Sequence, residues 1–240
     1  MLLWYSFPAW SATVNVSGLD IDFSNSADGQ NISKAIQVLI LMTVLSLAPA
    51  LMIMVTGFTR IIIVLAMLRH AFGMPSTPPN IVLISLALFL TLFTMLPVVQ
   101  QIEDQAYKPL VANKISGEQA LERASVPLQN FMLLQTREKD LKLMFGLSGK
   151  SLPQAEKDVP MTVLIPAFLI SELQTAFQIG FVIFLPFLLI DLICASVLMS
   201  MGMIMVPPMT ISLPIKILMF VLIEGWTLIA QALVGSFHLL

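Results

Sequence analysis

Charged residues are spread very unevenly along this chain of 240 residues. None occurs in the 25 residues from Ala35 to Thr59, and none occurs in the 32 residues from Ala71 to Ile102. Residues 159–240 contain only four charged side chains, whereas the 56 residues from Glu103 to Asp158 contain 16. Because about 20 consecutive apolar residues cross the hydrocarbon core of a bilayer, the pattern predicts two apolar blocks joined by a polar middle domain.

The apolar blocks predict an all-α, integral-membrane type of fold with about four spans, near residues 38–59, 81–101, 178–200 and 209–232. Turn residues separate the spans of each pair, since proline lacks a backbone donor and clashes inside a helix. In the first pair they are Gly73, Pro75, Pro78 and Pro79, and in the second they are Gly202, Pro207 and Pro208.

Two longer stretches are expected to be interrupted by proline. The run Val159–Val206 exceeds one span at about 1.5 Å per residue, so we expect Pro166 and Pro186 to kink or break it. In Glu118–Leu147, apolar residues recur at helical spacing and Pro127 is expected to divide the segment into two helices. Those apolar positions are Leu121, Leu128, Phe131, Leu134, Leu141 and Phe145. The charged run Arg137–Asp140 indicates a solvated face, with a contact to a neighbouring subunit as the alternative.

These patterns divide the chain into four regions. They are an N-terminal extension, a first apolar hairpin, a polar helical domain and a second apolar hairpin with a methionine-rich turn, at residues 1–35, 36–102, 103–158 and 159–240. Arg60 and Arg69 flank the connection within the first hairpin, so the positive-inside rule places that connection in the cytoplasm and the polar domain outside. Residues 1–12 resemble a short secretory signal without a basic region, and a cleaved signal or an unstructured tail both stay open.

Composition narrows the class of protein further. The chain is 58% hydrophobic and 11% charged, whereas soluble domains carry about 25% charged residues. Its net charge of −2 gives no footprint for nucleic acid, and the single cysteine allows no internal disulfide. Phosphate-loop and zinc-protease motifs do not occur in the sequence, so we expect neither an enzyme nor a cofactor site. Ser212 and Lys216 have the spacing of a serine–lysine dyad, but a structural serine and a paired lysine are the favoured interpretation.

Six charged residues lie in or beside the apolar runs, namely Arg60, Arg69, Glu172, Asp191, Lys216 and Glu224. An unpaired charge facing lipid costs at least about 2.5–3.5 kcal/mol on insertion scales. We therefore expect these residues to have partners on other helices or other subunits, and snorkelling to the interface suits Arg69 best.

Methionines form the second unusual cluster, with five in eleven residues at the predicted turn, Met199, Met201, Met203, Met205 and Met209. Methionine is flexible and fills irregular gaps, so core packing is one interpretation. A deformable apolar constriction is the other, because hydrophobic rings can close a pore by dewetting. Small residues at helical spacing, Ser171, Ala176 and Gly180, favour close helix approach and an oligomer around such a pore.

Three segments carry a family resemblance. They are Thr56–Thr91, the sequence FMLLQTREKDL at Phe131–Leu141, and Pro166–Trp226, which includes MGMIMVPP. Over about residues 36–238 the chain resembles the FliP family of flagellar biosynthesis proteins, the export-gate subunits of type III secretion. Its length and the QTREKDL stretch are similar to the flagellar branch, and a homologous virulence (injectisome) subunit is the alternative.

The resemblance implies a ring-like helical oligomer of five copies. Its implied partners are the small export proteins Q and R, the B export-switch protein and unfolded export substrates. A methionine gasket is implied at Met203, Ile204 and Met205, where Ile204 departs from the usual three methionines and is stiffer because it is β-branched. Intersubunit charge positions map onto Glu172, Asp191 and Lys216, and Arg60 completes the predicted network.

The implied function is that of a core subunit of the export gate, through which unfolded flagellar substrates leave the cytoplasm. The implied location is the bacterial inner membrane and the flagellar basal body, with several membrane passes and residues 103–158 on the periplasmic side. Two other classes stay open. One is a proton- or solute-coupled transporter that uses Asp191 or Glu172 as the carrier, and the other is a scaffold for assembly.

Overall fold

Helices account for nearly all of the described chain, as the charge pattern predicts. The computed structural model describes residues 14–16, 19–21, 29–74, 76–149, 158–203 and 205–237. These residues fall into two compact units, within Met1–Leu51 and Met52–Leu240, and each unit is considered by itself. The predicted signal at residues 1–12 lies outside the described residues.

The first unit contains a short β-hairpin and most of a long helix. Strands β1 (Val14–Val16) and β2 (Leu19–Ile21) pair antiparallel, with Val16 opposite Leu19. Helix α1 spans Gly29–Met54. The hairpin departs from the all-helical prediction, and its β-branched residues are of the type that favours strands.

The second unit consists of helices. They are α2 (Phe58–Phe72), α3 (Asn80–Ile102), a π-helical turn (Glu103–Tyr107), α4 (Lys108–Val111), α5 (Gly117–Gln135), α6 (Glu138–Ser148), α7 (Met161–Ser200), α8 (Met209–Leu222) and α9 (Gly225–Gly235). The block 36–102 therefore contains α2 between its two long helices, where the sequence suggested a simple hairpin.

Helices α2 and α7 pack side by side and run in the same direction. Arg60 contacts Glu172 near the start of α2, and Phe72 packs edge-on against Phe187 near its end, with 4.9 Å between the ring centroids. Between these contacts, the side chain of Met67 lies where a Cβ of Gly180 would extend. The predicted small residues Ser171, Ala176 and Gly180 are all buried, which confirms the expected close approach of helices.

The C-terminal helices return along this pair in the opposite direction. Met209, which opens α8, touches Gly73 just beyond the end of α2. After α9, Ser236 bonds to Arg60 and Phe237 packs on Gly57, both near the start of α2. The second unit is thus a bundle in which α2 contacts α7 along its length and the returning chain at both ends.

Two helices of the described chain are long and apolar enough to cross a membrane. They are the continuous stretch Asn80–Val111 and helix α7, and the bent pair α8 and α9 adds a third span if it is counted as one. The four predicted spans are therefore not confirmed. Near 38–59, helix α1 ends at Met54, and the apolar helical segment found among its described side chains is Ile36–Leu47.

The predicted proline breaks are wrong, and a kink at Pro166 or Pro186 stays a prediction. Pro166 and Pro186 lie inside the uninterrupted 40-residue helix α7, and Pro127 lies inside α5. A proline removes one backbone hydrogen bond, and tertiary packing routinely overrides such a local preference. The break in the middle domain comes instead at Thr136, whose backbone is extended. There the next amide, that of Arg137, donates to the Ser171 hydroxyl of α7 at 2.9 Å instead of continuing the helix.

Candidate functional site: two buried ion pairs and the methionine turn

Arg60 of α2 is fully enclosed and bound on every side. Its Nε donates to Glu172 Oε2 at 2.9 Å, and Nη2 also bonds Glu172 Oε1, so the pair is bidentate. Nη1 donates to the Ser236 carbonyl at 2.8 Å and to its hydroxyl at 3.1 Å, and Nη2 reaches Gln135 Oε1 at 3.4 Å. The guanidinium carbon lies 4.1 Å from the centre of the Phe237 ring. One side chain thereby joins α2, α5, α7 and the end of the chain.

The physical role of the Arg60 cluster follows from its burial. Arg60 and Glu172 are at most 2% exposed, so neither charge is hydrated. A buried charge is tolerated only when a partner and further hydrogen bonds offset its lost hydration. The planar guanidinium suits this task because its fixed donors match a carboxylate bidentately. The cluster is therefore built to hold helices together.

A second ion pair lies at the other end of α2. Ser212 and Lys216 are four residues apart on α8 and so share a face, and both bind the carboxylate of Asp191 on α7. The Ser212 hydroxyl donates to Oδ1 at 2.6 Å, and Lys216 Nζ donates to Oδ2 at 2.6 Å. The predicted structural interpretation of Ser212 and Lys216 is the one that this geometry supports, since both groups donate to Asp191.

Lys216 also stabilises the end of α2. Its ammonium donates to the Ala71 carbonyl at 3.0 Å, one of the last carbonyls of that helix. Such carbonyls lack a partner within the helix, and a cation there is favoured by the helix dipole. Lys216 is 2% exposed, whereas the Asp191 side chain is 39% exposed. Among the described residues, Asp191 is the one charged side chain that lines a groove of about 580 Å³ between α7, Pro207, Pro208 and Met209.

The four predicted network residues thus form two pairs on different helices within one chain. That partners come from other helices is confirmed, and a role of the network between subunits stays a prediction. Gln135, Ser236 and Phe237 were not predicted as partners of Arg60. Uncharged residues at helix ends carry no signal in the sequence that would single them out.

The methionine turn joins α7 to α8. Gly202 adopts the left-handed conformation, with φ of 75°, that glycine accepts without a steric penalty. The Met203 amide donates to the Leu198 carbonyl and the Gly202 amide to the Met199 carbonyl, which is the Schellman pattern that ends a helix. Gly202, Pro207 and Pro208 therefore take the predicted turn position, with Pro208 immediately before α8.

The methionine side chains of this turn face outward. Met203 is 40% exposed and Met205 is 97% exposed, and Met199, Met201 and Met209 are also exposed. Within one chain they do not fill a core, so the core-packing interpretation is not supported for them. Ile204 lies outside the described residues.

The charged run Arg137–Asp140 is only partly solvated. Asp140 is buried, accepts a hydrogen bond from Ser171 at 2.7 Å and lies 3.0 Å from Arg137 Nε. Arg137 also donates to Gln174 of α7 at 2.6 Å, so the run fastens α6 to α7. Glu138 is exposed and pairs with Lys142 at 2.6 Å, and that ammonium lowers the pKa of the Glu138 carboxyl through a hydrogen bond. The predicted solvated face thus holds for Glu138 but not for Asp140.

The remaining two charges of the apolar runs behave differently from the buried pairs. Arg69 donates to the Asn80 side chain and the Pro78 carbonyl at the start of α3, and its place at a membrane interface stays a prediction. Glu224 is exposed and has no ion pair among the described residues. Within the same part of the chain, no three His, Cys, Asp or Glu side chains lie close enough to hold a metal ion.

Comparison with known proteins places this chain in a sequence family. A model described as the FliP family matches residues 41–233. The flagellar biosynthetic protein FliP of Bacillus subtilis (strain 168) is 52% identical over 217 residues, which cover 90% of this chain and 98% of that protein. The protein of the same name from Pectobacterium carotovorum is 53% identical and covers 88% and 81%, and that from Aquifex aeolicus is 44% identical and covers 87% and 88%.

Proposed function

Because this chain belongs to the FliP family and is a subunit of the flagellar export apparatus, we propose that copies of it line the channel through which unfolded substrates leave the cytoplasm. The methionine turn forms the closure of that channel. Met203, Ile204 and Met205 from several copies meet at the narrowest point, part around a polypeptide and close again after it. The relatives are named flagellar proteins, which favours the flagellar system over a virulence system.

The exposure of the turn is the observation that carries this proposal. A methionine that is 97% exposed contributes nothing to the packing of its own chain, and it lies between the Schellman pattern that ends α7 and the proline that precedes α8. A turn that presents flexible apolar side chains is suited to an adaptable seal, because thioether chains deform readily. An apolar ring also resists a continuous water column and so holds back ions.

The ion pairs support the turn from within each copy. Lys216 and Asp191 bridge α8 and α7 on the two sides of the turn, and Lys216 anchors both to the end of α2. The carboxylate of Asp191 already accepts hydrogen bonds from Lys216 and Ser212. This arrangement suits a structural role for Asp191. It disfavours a role as proton carrier, because a carrier must release its partners during each cycle.

The assembled state belongs to the same proposal. Five copies join the Q and R proteins and the B export-switch protein in the bacterial inner membrane, within the flagellar basal body. The chain passes the membrane more than once, and residues 103–158 lie on the periplasmic side. Apolar helices that are compatible with membrane insertion support this placement. The role is structural and not catalytic.

Replacement of Met203, Ile204 and Met205 together by alanine tests the seal. Shortened side chains should leave the ring open, so membranes with the assembled variant complex should conduct more ions than those with the parent complex. Leu121→Ala with Leu147→Ala is the matched control, because it removes exposed apolar side chains from the middle domain. Equal conductance of the triple variant and the parent, at equal complex yield, would place the closure elsewhere.

A further inference from the structure

The end of α2 lies against one face of α8. Three side chains of α8 contact the last two residues of α2 and its C-cap, and their spacing of seven and four residues places them on one side of the helix. They are Met209 on Gly73, Lys216 on Ala71 and Phe220 on Phe72. The contact of Met209 lies nearest to the methionine turn, because Met209 is the first residue of α8. The end of α2 therefore supports the chain at the point where the turn ends.

Gly73 leaves the space that the Met209 side chain occupies. It caps α2 in the left-handed conformation, with φ of 79°, and its amide donates to the His70 carbonyl at 2.9 Å. A Cβ at position 73 would lie 2.8 Å from the methyl carbon of Met209 and 3.8 Å from its sulfur. Glycine is therefore favoured at this position by its backbone conformation and also by the contact with Met209.

The Met209–Gly73 contact limits where the exposed part of the turn can lie. Met205, which is 97% exposed, precedes Met209 by four residues, so their Cα atoms are at most about 14 Å apart. An apolar gate depends on how closely its side chains meet. A functional site also fails when its supporting residues leave it loose by about 1 Å. A contact this near to the turn is therefore suited to set its position.

We infer that Met209 is a positioning residue of the channel closure. Its contact with Gly73 sets the distance between the end of α2 and the turn, and thereby how closely the turns of several copies meet. The inference rests on the proposed channel closure and adds to it the contact within each copy that fixes the turn. A residue that only packs makes a different prediction, because its loss lowers the unfolding free energy and leaves the conductance of an assembled complex unchanged.

Replacement of Met209 tests the positioning role. Met209→Ala removes the contact, so membranes with the assembled variant should conduct at least about twofold more ions than those with the parent complex. Met209→Leu keeps most of the side-chain volume and should conduct like the parent. Leu218 is exposed and lies nine residues further along α8, on its opposite side. Leu218→Ala is therefore the matched control and should leave the conductance of the assembled complex unchanged.

Gly73→Ala displaces the same contact from the other side. Met209 also lines the groove beside Asp191, so its flexible thioether has room to move away from an added Cβ. Conductance should rise as it does with Met209→Ala. The double variant should conduct no more than either single variant, because effects that act through one contact do not add. Gly149→Ala is the control for backbone strain, since Gly149 has φ of 67° and open space around it, and it should not raise conductance.

Three outcomes would overturn the inference. They are parent-like conductance of assembled Met209→Ala, a rise with Gly149→Ala as large as that with Gly73→Ala, and additive rises in the double variant. Gly73→Ala and Gly149→Ala decide the question even where Met209→Ala fails to assemble.

The alanine variant of Met203, Ile204 and Met205 keeps the two proposals distinct. Raised conductance of that variant beside parent-like Met209→Ala would overturn the positioning role alone. Parent-like conductance of that variant beside raised conductance of Met209→Ala would overturn the three closure residues, and would support Met209 as the residue that positions a closure formed by other side chains.

Discussion

The two buried ion pairs at opposite ends of α2 differ in how completely they are enclosed. Arg60 and Glu172 have no access to water, and the cation also bonds the end of the chain and Gln135. Lys216 is enclosed as well, but its partner Asp191 opens onto the groove beside the methionine turn. In the first pair both charges are buried, and Arg60 connects four parts of the chain. In the second pair only the cation, Lys216, is buried.

This difference indicates that the Arg60–Glu172 pair holds the fold together, whereas the Lys216–Asp191 pair lies beside the proposed functional surface. A closed pair gains nothing from hydration when one partner is removed, so the whole bundle depends on it. The exposed carboxylate of Asp191 can be hydrated, or can contact another chain, while its own chain stays folded. We therefore expect loss of a partner from an enclosed cation, Arg60 or Lys216, to destabilise the folded protein, and loss of Lys216 itself to act more on assembly and on the turn.

Removal of Glu172 should have the largest effect. Glu172→Ala leaves the Arg60 cation buried without its bidentate partner, and such a loss costs about 3–5 kcal/mol of unfolding free energy. Reversible unfolding of the detergent-solubilised protein, followed by circular dichroism, measures it. The double variant Arg60→Leu with Glu172→Leu removes both charges and should recover much of the stability. A double variant as unstable as the single one would show that Arg60 acts through its other bonds.

The two partners of the second pair should differ in effect, which sharpens the comparison. Asp191→Ala strands a buried ammonium and should cost about 3 kcal/mol, near the lower end for a broken buried pair. Lys216→Ala leaves a carboxylate that water can reach, and should cost about 1 kcal/mol for the pair beyond the loss of side-chain packing. Lys216→Met preserves most of that packing and is the control. Equal losses for Asp191→Ala and Lys216→Met would contradict the asymmetry of exposure.

Gly202 tests the turn next to the open pair. Gly202→Ala forces a Cβ into the left-handed conformation, which costs about 1–2 kcal/mol. The strain falls on the methionine turn, so we expect a larger loss of export, scored by motility, than of folded protein in the membrane. Gly146→Ala, at an open helical position where alanine favours the helix, is the matched control and should lower neither quantity. Normal motility with Gly202→Ala would argue that the turn need not be rigid.

Local signals explain what could be predicted, and distant contacts explain what could not. The methionine turn was placed correctly because Gly202, Pro207 and Pro208 act through neighbouring backbone alone. The hydrogen-bond partners of Arg60 lie 75 to 176 residues away, and no local pattern points to them. The proline breaks failed for the same reason, since the packing of α7 on α2 overrides a local preference that sequence reasoning applied alone. Charge in apolar sequence predicted that partners exist but not which chain supplies them.

The exposed pair Glu138 and Lys142 gives the smallest expected effect and completes the comparison. Both groups stay hydrated, so breaking the pair strands no charge, unlike loss of Glu172. The ammonium holds the pKa of Glu138 below its ordinary value. A lowered carboxyl pKa stabilises the folded protein at any pH above the ordinary pKa of that carboxyl. This stabilisation disappears as the pH falls through the lowered pKa of the folded state.

Glu138→Gln should therefore lower the unfolding temperature slightly at about pH 7. It should not change that temperature once the pH lies below the lowered pKa of Glu138. Scanning calorimetry of both proteins in low salt measures the difference, and Lys142→Gln should reproduce it because the two changes break one pair. Salt should reduce the shift, since exposed charges are screened. A shift at neutral pH as large as that of Glu172→Ala would mean that burial is not what distinguishes the pairs, and the contrast between closed and open sites would lose its physical basis.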